Sequence, residues 1–321
     1  MHRLARCLIG AWILLPMATL AWGQPWPVKP VRMIVNANAG GSTDVMARSL
    51  SSELSDTLGQ QVIVDNRAGA GGGIGIELVA RSAADGYTLL HAADSGIVVG
   101  PHLYKLPVDV ARALVPVAPT GQAGLFFIVR AGLPVKTLAE FVAYARANPG
   151  KLNYGSAGFG TLQHIAGEML LREAKFKATH VAYKGSQRVL VDILGGQVDF
   201  TFDLGAAVAQ VKSGEVRLLA VPGRTRSSMF PDAPTMVEAG TNLEISWISG
   251  VYAPTGTPKD IVLRLNREIG RIMHLPATRS RLAAMAAEPM PAMTPEAFAA
   301  HQQAARDRFG VVIREANIRI E

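Results

Sequence analysis

Strand-length apolar runs alternate along this chain with segments of helical periodicity, and few folds accommodate that alternation. The runs stand at Val31–Val35, Gln61–Val64, Tyr87–His91, Leu125–Val129, Val198–Phe202 and Val216–Val221. Between them Met46, Leu50, Leu54 and Leu58 recur every four residues, and Leu162, Ile165, Ala166, Met169 and Leu170 form an i, i+3, i+4, i+7, i+8 stripe. Thr137-Leu138-Ala139-Glu140 is a capping box, and Thr257-Pro258 and Thr294-Pro295 each predict a helix with proline at its first position. The pattern reads as α/β with mostly parallel sheets. A chain of 321 residues with 49% apolar and 18% charged residues can bury a core, which excludes disorder and a coiled coil. The net charge of +7 comes from scattered Lys and Arg, not from basic runs interleaved with aromatics. That argues against nucleic acid and for a modest field that attracts small anions.

Residues 1–23 read as a secretory signal peptide. Arg3 and Arg6 precede an apolar stretch from Cys7 to Ala21, and Ala21-Trp22-Gly23 is a small-x-small cleavage site. The stretch is short for a membrane span of about 20 residues. Cys7 is the only cysteine and precedes most of the apolar region, so lipidation there is not expected. The mature chain then carries no thiol, which excludes disulfides, cysteine-ligated metals and a cysteine nucleophile. The expected location is the periplasm.

Two Gly- and Pro-containing regions, 114–125 and 240–256, read as crossings between lobes. They divide the mature chain into 24–124 plus 246–321 and 125–245. A chain that enters a second lobe and returns has the plan of a clamshell binding protein.

Two strand-to-helix loops are the candidate chemistry. Asn38-Ala39-Gly40-Gly41-Ser42-Thr43-Asp44 opens the first helix, and Tyr154-Gly155-Ser156-Ala157-Gly158-Phe159-Gly160-Thr161 opens the stripe helix after a short strand at 151–154. Glycines allow close backbone approach, and a helix N-terminus supplies free N–H donors and partial positive charge for a carboxylate or phosphate. One loop in each lobe suggests an anion gripped between two helix N-termini, the alternative being ordinary capped turns. The Gly-rich Ala68–Gly75 stretch fits neither G-x-G-x-x-G nor a P-loop and reads as a tight turn. His164 and Glu168 have metal-ligand spacing without a third ligand, and read as an exposed or capping pair on the polar side of the helix. Ser156 lacks the G-x-S-x-G context of a hydrolase. Asp199 and Asp203 lie roughly 13 Å apart along a strand, too far for paired acid–base work. Asp203, at the strand's C-terminal end, can still face a cleft.

At these residues the sequence resembles the Bug family, the extracytoplasmic solute-binding receptors of tripartite tricarboxylate transporters. The resemblance runs through Gly40-Gly41-x-x-Asp44, Asp65-Asn66-Arg67, Asp85-Gly86-Tyr87-Thr88, Leu152-Asn153-Tyr154-Gly155-Ser156-Ala157-Gly158, Gly160-Thr161-x-x-His164, Tyr183-Lys184-Gly185, Gly195-Gly196-Gln197-Val198-Asp199, Pro231-Asp232-x-Pro234-Thr235 and Ala253-Pro254-x-Gly256-Thr257-Pro258. It implies a two-lobed periplasmic binding fold that closes on a small carboxylated solute and serves membrane transporter subunits. No catalysis, cofactor or metal is implied, and a monomer is expected. The alternatives are a ligand sensor for a signalling partner and a periplasmic hydrolase. The expected ligand-binding residues are Asn38, Gly40, Gly41, Ser42, Thr43, Asp94, Ser95, Ser156, Ala157, Gly158, Thr161 and Asp203. Three departures from the family stand out. Asn36-Ala37-Asn38-Ala39 replaces the usual Pro-Phe, and Asp94-Ser95-Gly96 places an acid where relatives carry neutral polar residues. Trp247 stands seven, not six, residues before Pro254.

Overall fold

A computed structural model describes residues 26–40, 42–223, 225–245, 247–284 and 287–319, with backbone only for Ser42, Ala123 and Trp247. The expected signal peptide and Cys7 lie outside the described residues, as does Gly41. Among the described residues no helix is long and apolar enough to cross a membrane.

The chain begins with β1 (Val31–Val35), α1 (Ser42–Leu58), β2 (Val62–Asn66), α2 (Gly73–Ala80) and β3 (Thr88–Ala93). A π-helical turn over Ser95–Val99 leads through the short helices α3 (Gly100–Leu103) and α4 (Val110–Ala113) to β4 (Leu114–Ala123). Next come β5 (Phe126–Arg130), α5 (Leu138–Ala147), β6 (Leu152–Ser156), α6 (Leu162–Glu173), β7 (Ala178–Ala182), α7 (Ser186–Leu194), β8 (Phe200–Asp203), α8 (Val208–Ser213) and β9 (Val216–Ala220). The chain ends with β10 (Trp247–Pro254), α9 (Lys259–Met273), α10 (Pro276–Ala284), β11 (Ala287–Pro289) and α11 (Pro295–Glu315).

These strands make two sheets. The first has the order β11-β4-β10-β3-β1-β2 and the second β7-β6-β8-β5-β9. Strands β2, β1 and β3 are mutually parallel, as are β7, β6 and β8, while β10 runs antiparallel to β3 and β4. The unbroken apolar run of β1 follows from burial on both faces, as parallel strands require: Val31, Met33, Ile34 and Val35 are all fully buried.

The two regions read as crossings are largely strand. Residues 114–123 form β4 and 247–254 form β10, and these two pair along their whole length. The prolines of the first crossing sit at irregularities of the ladder. Pro119 faces Gly250 and Pro116 faces Tyr252, each beside a register shift. A bulge leaves a residue outside the ladder, so a missing N–H is tolerated there. The chain passes between the sheets through Gly124 and Leu125, and returns through the segment after β9. The short strand β7 carried no clear pattern, being an edge strand with no buried residue.

The predicted caps form. Thr137 Oγ1 accepts the Glu140 N–H at 3.1 Å, and Glu140 reaches back to the Lys136 N–H at 2.6 Å. Thr294 caps α11, with Pro295 in its first turn. Pro258 stands one place earlier than expected, at the cap position of α9. Met46, Leu50, Leu54 and Leu58 face the first sheet alongside Leu265 and Ile269 of α9. In the second lobe the core is aromatic, with Phe141 edge-on to Phe127 at 5.0 Å and to Phe200 at 5.1 Å.

Among the described residues, polar ties join the lobes at the surface. Glu288 of β11 accepts from the backbone N–H and the hydroxyl of Ser228, at 2.8 and 2.6 Å, and Glu315 of α11 pairs with Arg172 of α6. Both ties are exposed at the surface, so each contributes at most about 1 kcal/mol.

Candidate functional site

Strand direction sets the two candidate loops on adjoining sheet edges. Ser249 of β10 pairs with Ala93 on one side and Gly121 on the other, so β3 and β4 end at the same edge of the first sheet. Phe126, which opens β5, pairs with Asp203, which closes β8. Only Gly124 and Leu125 separate β4 from β5. The C-terminal edge of the first sheet therefore adjoins the edge where β6 and β8 end. Loops at the carboxyl ends of parallel strands are where α/β folds bind ligands.

In the first loop Asn38 and Gly40 are exposed and Thr43 is buried at the start of α1. Asp44 shapes this loop, accepting from the Gly40 N–H at 2.8 Å, Asn66 Nδ2 at 2.9 Å and Arg48 Nε at 3.0 Å. Burial raises its pKa, but the Arg48, Gly40 and Asn66 hydrogen bonds outweigh that and hold it below the usual value. The Gly-rich stretch is structural. A Cβ on Gly72 would lie 2.4 Å from Asn36 Nδ2, and one on Gly96 2.5 Å from the same atom. With φ of +92°, Gly72 also holds a backbone few other residues adopt. These glycines admit the buried Asn36 beneath the first loop.

Ser95 is partly buried beside this junction, whereas Asp94 is only 2% exposed and faces inward. Its Oδ2 accepts from the Ile248 N–H at 3.3 Å and its Oδ1 from Gln302 Nε2 at 3.0 Å. Burial pushes its pKa up to about 7 against the pull of Gln302, Ile248 and Arg308. The carboxylate ties β10 and α11 together from beneath the loop. The side chain of Trp247, whose offset from Pro254 was noted, lies outside the described residues.

The second loop is held by its own polar groups. The Ser156 hydroxyl, fully buried, donates to the Gly158 carbonyl at 3.0 Å, accepts the Gly158 N–H at 3.2 Å and lies 2.7 Å from His180 Nε2. With its hydrogen on the Gly158 carbonyl, this hydroxyl accepts a hydrogen bond from Nε2–H of His180, the reverse of the arrangement that activates a nucleophile. Thr161 is the cap of α6, bonding the Gly158 carbonyl at 2.7 Å and accepting the His164 N–H at 3.4 Å. Replacing Thr161 with alanine should cost about 1 kcal/mol of stability in urea unfolding, and Thr161→Ser should restore it. Equal stability of all three proteins would remove Thr161 from this role.

The His164–Glu168 pair, expected to be exposed or capping, is not exposed, and His164 takes the capping role. His164 is 4% exposed, accepts the Gly160 N–H at 3.1 Å, and stacks on His180 at 3.8 Å. Glu168 accepts from the Tyr154 hydroxyl at 2.5 Å. The histidine was drawn inward by a partner from β7, which spacing along one helix does not reveal. Phe159, 61% exposed, stands edge-on to both imidazoles at 5.5 and 5.1 Å. Burial lowers both imidazole pKa values to about 4, so the pair is neutral near pH 7. Among the described residues no group of three or more His, Cys, Asp or Glu could hold a metal.

Asp203 is buried and its Oδ2 accepts the N–H groups of Gly205 at 2.7 Å and Ala207 at 3.0 Å. Burial raises its pKa against those backbone donors. Asp199 is engaged separately, with Arg130 Nε at 2.7 Å and the Asn153 N–H at 2.8 Å. Gln163, absent from the expected site, lies between the loop and α7: its Oε1 accepts the Ala157 N–H at 2.8 Å and the Ser186 hydroxyl at 3.4 Å. Sequence offered no signal for it, since it falls in an amphipathic helix as an ordinary polar residue.

Two sheets joined by two crossings, with helix N-termini opening at the shared edge, define a two-lobed periplasmic binding protein. Residues 46–318 match the family described as Tripartite tricarboxylate transporter family receptor, and the chain belongs to that family. A UPF0065 protein of Bordetella bronchiseptica is 41% identical over 288 residues, covering 89% of this chain and 85% of the relative. The structure of R. palustris Rpa4515 with adipate is 32% identical, with a TM-score of 0.74, and covers 92% of this chain and all of that one. MatC from Rhodopseudomonas palustris with bound malate is 31% identical, with a TM-score of 0.70, and covers 90% of this chain and all of that one.

Proposed function

We propose that the mature chain captures a small carboxylated solute between its lobes in the periplasm and delivers it to the membrane subunits of a tripartite transporter. The lobes are 24–124 plus 246–321 and 125–245, and residues 1–23 are the signal removed on export. What supports this reading is that the sheet edges bearing the first loop and the loop before α6 adjoin through Gly124 and Leu125. Two similar proteins were solved with adipate and malate, which are dicarboxylates. The carboxylate is held by the first-loop backbone around Asn38, Gly40, Gly41, Ser42 and Thr43, by Ser95, and by Ala157, Gly158 and Thr161. Ser156, Asp203 and Asp94 hold those loops in shape from behind. The protein acts as a monomer without cofactor or metal, and it binds without catalysis.

The test is thermal-shift screening of the mature protein against adipate, malate, citrate, benzoate and glutamate. A ligand at 100 times its Kd adds about 2.7 kcal/mol of stability, which raises the melting temperature by several degrees. Small-angle scattering with the best of these should show a smaller radius of gyration. A panel that leaves the melting temperature unmoved overturns the reading.

A further inference from the structure

Gln163 is 1% exposed and its carboxamide is half satisfied. Oε1 accepts the Ala157 N–H and the Ser186 hydroxyl, while Nε2 is buried without a hydrogen-bond partner. Turning the amide over does not help, because an NH2 group would then face the Ala157 N–H. The orientation is fixed by its acceptor side, and the donor side is left over. A buried donor without an acceptor is costly and is retained where something else supplies the acceptor.

The place of this donor gives it a meaning. Gln163 stands in the first turn of α6, and Ser186, its other partner, opens α7. The N-terminal ends of two helices thus converge on one neutral carboxamide. The imidazoles nearby are uncharged near pH 7, so an anion here meets N–H donors and not a cation.

Resting on the carboxylate-binding reading above, we infer that Gln163 is a specificity-determining residue whose Nε2 donates to an acceptor oxygen of the bound solute. The solute's carboxylate supplies the acceptor that the protein lacks. A carboxamide at this place favours an anionic oxygen over an amine or ammonium group, which has no lone pair to offer or presents its own hydrogens.

Gln163→Glu separates this from a purely structural role. Glutamate keeps an acceptor for Ala157 and Ser186, so a residue that only orders the loop is replaced without loss. It also puts a second acceptor, and a charge, where the donor stood. Calorimetry on the full mature protein uses whichever of adipate, malate, citrate, benzoate and glutamate binds wild type most tightly. The expected result is a loss of affinity of about 10- to 150-fold in a variant that still unfolds cooperatively, with a melting temperature lowered by the buried carboxyl. Ser186→Ala, which leaves the donor in place, should stay within about threefold of wild type. If the glutamate variant does not fold, Gln163→Met removes the donor together with the Oε1 acceptor, without adding charge, and should lose at least about tenfold. Wild-type affinity in a folded Glu or Met variant overturns the assignment while leaving carboxylate binding intact. A wild type that binds none of the five overturns the binding reading itself, and the assignment with it.

Discussion

Replacing Asp94 with asparagine is expected to stabilise the protein above pH 7 and to change little near pH 4. The carboxyl is 2% exposed, and burial raises its pKa from 3.8 to about 7. The folded state therefore holds this proton more tightly than the unfolded chain does. The stability it lends is complete below about pH 4 and is lost as pH rises through 7, where the group must ionise inside the fold. The conversion from pKa gives up to about 4 kcal/mol at pH 8. Asparagine fits the same place. Its oxygen can accept the Ile248 N–H, and once the Gln302 amide turns over its NH2 can donate to Gln302 Oε1, which is buried without a partner. Urea unfolding at pH 8 and pH 4.5 tests this, with the gain confined to the higher pH. Destabilisation of Asp94→Asn at pH 8 would mean that the ionised carboxylate is needed by its neighbours.

In that same variant, stability is expected to fall by about 4 kcal/mol between pH 7 and pH 5. Burial lowers the pKa values of His91, His164 and His180 from 6.5 to about 4. These groups stay neutral when folded but take up protons when unfolded. Their contribution is complete above about pH 6.5 and is lost as pH falls toward 4, the opposite sense to Asp94. Each such imidazole loses about 2 kcal/mol between pH 7 and pH 5, less for the partly exposed His180. His91 is fully buried, with Nε2 against Thr120 Oγ1 at 3.1 Å, and the Thr120 hydroxyl reaches Ser249 at 3.1 Å. Its ring thus sits within the β3–β10–β4 pairing that carries the chain between lobes. Wild type shows a shallower acid loss, because protonation of Asp94 offsets part of it. His91→Gln in the Asp94→Asn background should remove about half of the slope. Equal unfolding free energies at pH 7 and pH 5 in Asp94→Asn would show that these rings accept protons without disturbing the fold.

The sequence by itself determined the α/β class, the capped helices and the two strand-to-helix loops. Each of these is local: an apolar run buried on both faces, a stripe at helical spacing, a hydroxyl three residues before the N–H it caps. It did not show that Pro116 and Pro119 lie in β4, because a bulge is visible only when the partner strand is in place. Nor could it show that Asp94 faces inward. A carboxylate after a strand reads the same whether it meets solvent, ligand, or the Ile248 N–H and Gln302 from more than 150 and 200 residues away. The His164–His180 stack and the unpaired donor of Gln163 belong to the same class. Each depends on a partner brought by another element, β7 in one case and the first turn of α7 in the other. Periodicity fixes which face of a helix is buried, but packing decides which polar atoms on that face are left without a partner.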